Sequence, residues 1–253
     1  MKKVTKGIAW ILALGVMFCA SGCGRRAEDQ VQTQVDISDG VYSLEMEIGA
    51  ADIRIEESDQ FSVSTDNPYI TIDVVGGTLV IREKPHIANL KGSTVTIRYP
   101  KDTFFSRADI DVGAGVLRAF SLNCGELDLD LGAGLTRIEL LVVTGETEIT
   151  GGAGEIQIPA GSLNDLDLDL GVGECVLRAG LTGRTDIEAG VGKLDMTVLG
   201  NANDYTIRTE QGLGGITIDG IQVGRTTIGT GVNQIDIVGG VGSIDLRFDT
   251  EHE

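Results

Sequence analysis

The chain has 253 residues, 38 acidic against 20 basic, for a formal net charge of −18, with 42% hydrophobic residues and only 4% aromatic. So acidic a chain repels phosphate backbones, which excludes nucleic-acid binding. The 36 glycines follow no three-residue period and there are only four prolines, which excludes collagen, while the Ile, Leu and Val content excludes disorder and points to stacked aliphatic layers.

Residues 1–22 read as a signal peptide. Lys2, Lys3 and Lys6 form a basic start, and Ile8 to Ala20 form an apolar run shorter than the ~20 residues that span a bilayer. The tetrad Ala20-Ser21-Gly22-Cys23 resembles a bacterial lipobox, cut just before a cysteine that carries diacylglyceryl; Ala20 stands where Leu is usual. The resemblance implies lipidation with palmitate-type chains at Cys23, and hence a lipoprotein anchored on the extracytoplasmic face of the cell membrane. The other reading is ordinary secretory cleavage after Gly22. Residues 23–40 form a polar tether in which Arg25 and Arg26 suit anionic headgroups, with a reach of about 20 to 25 Å.

Residues 41–105 predict a less regular β cap. Leu44 to Ile55 alternates through Gly49-Ala50-Ala51 as strand, turn and strand. Tyr69 to Val75 and Thr78 to Arg82 flank Gly76-Gly77, a two-residue hairpin signal. His86 follows; with His252 it completes the histidine count of two, too few for a His-rich metal site or a Ser-His-Asp centre.

Residues 106–248 repeat. The stretches beginning at Asp109, Asp128, Glu148, Asp167 and Asp186 each alternate acidic and apolar residues and then reach a Gly-x-Gly turn. With Gly212-Leu213-Gly214 and Gly231-Val232-Asn233 added, the leading glycines are spaced 19, 20, 19, 19, 22 and 19 residues apart. A period near 20 with two alternating runs per unit predicts two main strands per coil. The fold expected is all-β, a single-stranded parallel β-helix or β-solenoid with ~20-residue coils, each glycine taking positive φ at its turn and Asn233 standing in for one. Columns expected to point inward hold Ile110, Leu129, Ile149, Leu168, Ile187 and Ile228 before the turn. After it they hold Leu117, Ile156, Cys175, Leu194, Ile216 and Ile235, then Ala119, Ile138, Ile158, Leu177, Met196, Ile218 and Ile237. Residues 249–253 are a charged tail.

The strand ending in Tyr99-Pro100-Lys101-Asp102, the apolar link Phe104-Phe105 and the stretch Ile110 to Gly115 together resemble a bacterial β-strand-repeat family of unknown function, often labelled "putative adhesin". The resemblance covers residues 41 to 248. It implies a β-helix-like body on an exported or tethered protein and supplies no catalytic residues.

Cys124 and Cys175 remain after Cys19 and Cys23 are assigned. They read either as a disulfide of an exported protein or as two buried thiols, and their different phases in the repeat favour thiols. The Gly-x-Gly turns lack the last glycine of a dinucleotide fingerprint, so no cofactor is expected. Outward positions stack Asp109, Asp128, Glu148, Asp167 and Asp186 in one column and Asp111, Asp130, Asp169 and Glu188 in the next. The opposite strand carries Arg54, Arg118, Arg137 and Arg178. The columns read as a solvated acidic face, or as a metal site for Ca²⁺ through Asp109, Asp111, Asp128, Asp130, Asp167, Asp169, Asp186 and Glu188. The function expected is a non-enzymatic, membrane-anchored surface lipoprotein presenting an acidic solenoid for adhesion or cell-envelope interaction, with an envelope protein or a cationic cell-wall component as partner. A regulatory or sensory partner of an envelope-stress membrane system is the second reading. A polysaccharide-cleaving β-helix enzyme is the remote third, and it predicts a concave site beside Asn201 to Tyr205.

Overall fold

The computed structural model describes residues 33–37, 40–85 and 92–250. The signal segment, Cys23, most of the tether, His86 and His252 lie outside the described residues. In chain order the strands are β1 (Thr33–Asp36), β2 (Ser43–Ser58), β3 (Ser62–Thr65), β4 (Ile70–Val75), β5 (Thr78–Glu83), β6 (Thr94–Pro100) and β7 (Phe105–Ala119). Then come β8 (Leu122–Ile138), β9 (Leu141–Val143), β10 (Thr147–Ile158), β11 (Gly161–Leu199) and β12 (Tyr205–Glu210). The series ends with β13 (Gly215–Ile218), β14 (Ile221–Val223), β15 (Thr226–Ile228), β16 (Asn233–Val238) and β17 (Val241–Asp249). A single 3₁₀ turn, Ala202–Asp204, precedes β12, and no helix among the described residues is long and apolar enough to cross a membrane.

The alternation of the sequence becomes parallel pairing at a constant offset. Asp109 of β7 lies beside Asp128 of β8, Asp128 beside Glu148 of β10, and Glu148 beside Asp167 of β11, steps of 19, 20 and 19 residues. Because side chains alternate across a strand, this register puts Ile110, Leu129, Ile149 and Leu168 all inside, each buried to 1% exposure or less. Each contributes roughly 1.5 to 3 kcal/mol of burial free energy, which only a stacked neighbour supplies. β2 joins the same ladder, Glu45 beside Asp109 and Ile53 beside Leu117. Besides the two long runs of each repeat there is a third, short parallel run, in which Leu122, Asn123 and Cys124 pair with β9, and Gly161 and Ser162 pair with β9 in turn. The sequence pattern concealed it because three residues are too few to show a period.

The order of the last rungs differs from the order of the sequence. Asp186 of β11 pairs with Asp236 of β16, and Val191 with Val241 of β17, an offset of 50 residues. β12 and β13 in turn lie outside β16 and β17, with Arg208 beside Asp236 and Ile216 beside Ile244. The last coil of the chain is therefore inserted beneath the one before it. Its turn is Gly240-Val241-Gly242, not Gly231-Val232-Asn233. Asn233 instead opens β16, accepting a hydrogen bond from the Gly183 amide through Oδ1. Ile235 and Ile237 are buried as expected but stand before the turn, and Ile228 is 39% exposed on β15, which pairs antiparallel with β12.

The turn glycines are demanded chiefly by the stack. A Cβ on Gly173 would lie 1.8 Å from the carbonyl oxygen of Gly154, and φ there is +147°. At the leading position the objection is contact alone: a Cβ on Gly132 would lie 2.0 Å from the Gly113 oxygen, with φ outside the left-handed region. Two glycines per turn thus let backbones stack at strand spacing, whereas the sequence had suggested positive φ as the common cause.

Candidate functional site

The stacking places the expected carboxylates where the sequence put them and lengthens their columns. The first runs Glu45, Asp109, Asp128, Glu148, Asp167, with Asp186 and Asp236 paired further along. In the second, Glu47, Asp111, Asp130, Thr150 and Asp169 follow one another, Thr150 interrupting the charge, and Glu188 occupies the equivalent place on the next pass of β11. Glu45, Glu47 and Asp236 escaped the sequence reading. The matching phase of β2 would have found the first two, and the Gly240-Val241-Gly242 turn the third.

Arginines close the columns at their ends. Arg82 on the outer rung β5 pairs with Glu45 and lies 3.7 Å from Glu47, while Arg208 on the outer rung β12 lies 3.4 Å from Asp236. Arg107 bridges Glu126 and Asp128 at 3.3 Å each and Asp109 at 3.7 Å; Arg184 reaches Asp186 at 2.6 Å and Asp236 at 3.4 Å. Among the described residues no cation lies within ion-pair distance of Asp130, Glu148, Asp167 or Asp169. The middle of the face is therefore the part without an ion pair, with the Arg184 charge acting on Asp167 only from beyond pairing distance.

The titration behaviour follows from partial burial first at three of the four carboxylates and from this crowding second. Asp128 is pushed above the usual carboxylate range by partial burial and then by Asp109 and Asp130, with Arg107 opposing. Asp111 is raised by partial burial, then by Asp130, Glu47 and Asp109. Asp167 is raised by partial burial, then by Asp169 and Asp186, with Arg184 opposing. For Glu148 the charge of Asp128 is the leading cause, followed by partial burial and Asp167. At ~4.8 Å two unit charges repel by roughly 3.5 kcal/mol at an effective dielectric of 20, before salt screening. Among the described residues no group of three or more His, Cys, Asp or Glu side chains is arranged to hold a metal ion. One carboxylate per rung in each column lines the oxygens up rather than converging them on a point.

On the other side of the turn Arg54, Arg118 and Arg137 do stack, but Gln157 and Val176 continue their column. Arg178 lies two residues further along and pairs with Asp249 at 2.8 Å. Cys124 and Cys175 are free and buried, each thiol pushed up to about 12 by burial. The segment Asn201 to Tyr205 is a capped 3₁₀ turn, Asn201 Oδ1 accepting from the Asn203 amide and the Tyr205 hydroxyl donating to the Leu181 carbonyl at 2.9 Å. A depression of about 500 Å³ lies elsewhere, between β12, β15 and β16, lined by Arg208, Glu210, Arg225 and Asp236. Under the stacked turns a cleft of about 50 Å³ touches Gly151, Ile156, Leu170 and Cys175. That is a third of the ~150 Å³ that holds a benzene.

No protein-family profile matches this chain, and no curated protein does. Among solved structures it is similar to a "putative cell adhesion protein" from Clostridium sporogenes, with 15% identity over 86% of this chain and 99% of that one and a TM-score of 0.37. A "putative adhesin" from Bacteroides fragilis has 15% identity over 85% of this chain and 96% of that one, with a TM-score of 0.39. A "putative lipid binding protein" from Parabacteroides distasonis has 15% identity over the same shares, 85% and 96%, with a TM-score of 0.30. The first two labels are of the kind that the resemblance at Tyr99-Pro100-Lys101-Asp102 carries.

Proposed function

We propose that this chain is a non-enzymatic surface lipoprotein: a β-solenoid held by lipid at Cys23 on the extracytoplasmic face of the membrane, whose acidic face adheres to cationic components of the cell envelope. The observation that supports it is the in-register carboxylate column from Glu45 to Asp236, closed by arginines at its ends and, among the described residues, without an ion pair at Glu148 and Asp167 in its middle. Aligned like charges at strand spacing cost stability unless an external cation offsets them, so a polycation binding there relieves repulsion that the fold has already built in. Parallel pairing at steps of 19 and 20 residues supports the solenoid. A lipid-binding role suits the described clefts poorly, the apolar one being about 50 Å³.

The test has two arms. Membrane fractionation of Cys23→Ala is expected to release the protein into the soluble fraction, and unchanged retention would remove the anchor from the reading. Titration of the full chain with oligo-lysine is expected to give salt-sensitive binding that falls by tenfold or more, roughly, when Asp128, Asp130, Asp167 and Asp169 are replaced with Asn. Equal binding by that variant would overturn the role of the acidic face.

A further inference from the structure

Between the acidic columns and the strand beyond the turn runs a ridge made by the middle residue of each Gly-x-Gly. In spatial order its exposed members are Ala133, Ala153, Val172, Val191, Val241 and Leu213. Ala133 pairs with Ala153, Ala153 with Val172 and Val191 with Val241, and the Leu213 amide donates to the Gly240 carbonyl at 2.9 Å. Val172 is 59% exposed, Val191 49%, Val241 47% and Leu213 89%. With a glycine on each side, every one of these side chains stands clear of its own strand. The ridge rises one residue per ~4.8 Å, about 24 Å in all, and its side chains grow from Ala through Val to Leu along it. Such a continuous exposed apolar line is uncommon on a chain with so much charge.

Carboxylates border the ridge on both sides. Asp130, Asp169 and Glu188 stand three positions before it, with Thr150 between the first two, and Glu155 and Glu174 stand two positions after it, followed by Lys193, which is paired with Asp195 at 3.3 Å. We propose that the ridge is a docking surface for a basic amphipathic α-helix, lying along the stack with its apolar stripe on Ala153, Val172, Val191 and Val241 and its Lys and Arg side chains on the flanking carboxylates. This deepens the acidic-face reading above and rests on it. Charge selects the occupant: a second copy of this chain would set carboxylates against carboxylates, and an anionic bilayer would be repelled likewise. Dimensions agree. A helical turn rises 5.4 Å against ~4.8 Å per rung, a drift of only about 2.4 Å over four turns, and a helix about 10 to 12 Å across fits between flanks five strand residues, about 17 Å at most, apart, leaving a margin that Lys and Arg side chains bridge.

The experiment compares three synthetic probes on the full chain: an 18-residue Leu/Lys peptide with Leu at helical spacing, a peptide of the same composition with Leu scattered over all faces, and oligo-lysine of equal charge. The patterned peptide is expected to bind about tenfold more tightly than the scattered one. That preference is expected to shrink to about twofold in Val172→Thr/Val191→Thr, near-isosteric changes at exposed strand positions whose unchanged thermal midpoint shows the fold intact. Equal binding of the two Leu/Lys peptides, or a preference surviving in the Thr variant, overturns the docking ridge while oligo-lysine binding still upholds the acidic face. Failure of all three probes to bind overturns both.

Discussion

At the N-terminal end of the stack the chain lays down β2 first, builds the outer rung from β5 and β6, and returns to place β7 on the inner side of β2. At the C-terminal end it leaves β11, builds the outer rung from β12 and β13, and comes back to slide β16 and β17 between the two. Both ends stop the parallel ladder with antiparallel strands, β4 on β5 and β3 on β6 at one, β15 on β12 and β14 on β13 at the other. These cover edges that would otherwise template further pairing. The difference lies in dependence. The N-terminal outer rung pairs with a strand already made before it, whereas β12 to β15 join the rest of the ladder by strand pairing only through the final coil, the Tyr205 hydroxyl on Leu181 being a side-chain contact past it.

The ends also differ in what fills them. At the N-terminal end Phe61, Tyr99 and Phe105 meet edge to face, with centroids 5.7 to 6.4 Å apart, and the Tyr99 hydroxyl donates to the Ser121 carbonyl. This gives the Tyr-Pro-Lys-Asp sequence a structural reason: Tyr99 plugs the core, and Asp102, at φ +65°, turns the chain toward β7. At the C-terminal end the one aromatic contact among the described residues is Tyr205 with Phe248 at 5.2 Å.

The sharpest way to break the comparison is truncation. A chain ending at Val232 is expected to lose amide-exchange protection throughout residues 205–228, while a chain starting at Val41 keeps protection in β3 because β6 still pairs with it. Retained protection at Ile207 and Ile216 in the first would show that the outer rung stands without the inserted coil. Next in size, Phe105→Ala is expected to cost about 3 to 5 kcal/mol in denaturant unfolding, since the ring is fully buried at the plug. Tyr205→Phe at the other end should cost only about 1 kcal/mol, the hydrogen bond to Leu181. In the middle, Gly173→Ala is expected to cost more than about 2 kcal/mol, whereas Gly180→Ala, whose Cβ would find its nearest atom 4.0 Å away, should stay within about 0.5 kcal/mol.

The smallest effect sharpens the contrast between the arginine-closed ends and the bare middle. Asp111, Asp128, Glu148 and Asp167 titrate above their ordinary values, so between the unfolded and folded values the native state binds more protons. Stability therefore falls as pH rises through that window and is gained on acidification from neutrality. Glu139, held below its ordinary value by Arg137, opposes this in sign. The thermal midpoint should be higher near pH 5 than near pH 7, and added salt should narrow the gap. A midpoint that drops on mild acidification would contradict the raised carboxylates, and a gap indifferent to salt would leave burial alone as its cause.

The sequence by itself determined which way each side chain faces. Alternation with period two put Ile110, Leu129, Ile149 and Leu168 inside and Asp109, Asp128, Glu148 and Asp167 outside. Gly76-Gly77 gave the β4–β5 hairpin, and the spacing of the glycines gave the parallel stack. Cys124 and Cys175 proved to be buried thiols for the reason their phases suggested. What the tertiary structure alone decided was which rung lies beside which. A strand with the right alternation fits beside any rung of a periodic ladder, because the pattern specifies a face and says nothing of the neighbour. Gly231-Val232-Asn233 mimics the period at a spacing of 19 but carries only exposed Ile228 before it, whereas Gly240-Val241-Gly242 follows Asp236-Ile237-Val238 and leads into Ser243-Ile244-Asp245-Leu246. The inserted coil, and with it the extension of the carboxylate column to Asp236 and of the apolar ridge through Val241 to Leu213, follows from pairing at an offset of 50 residues. Backbone hydrogen bonds are indifferent to sequence distance, so only the assembled stack could choose that partner.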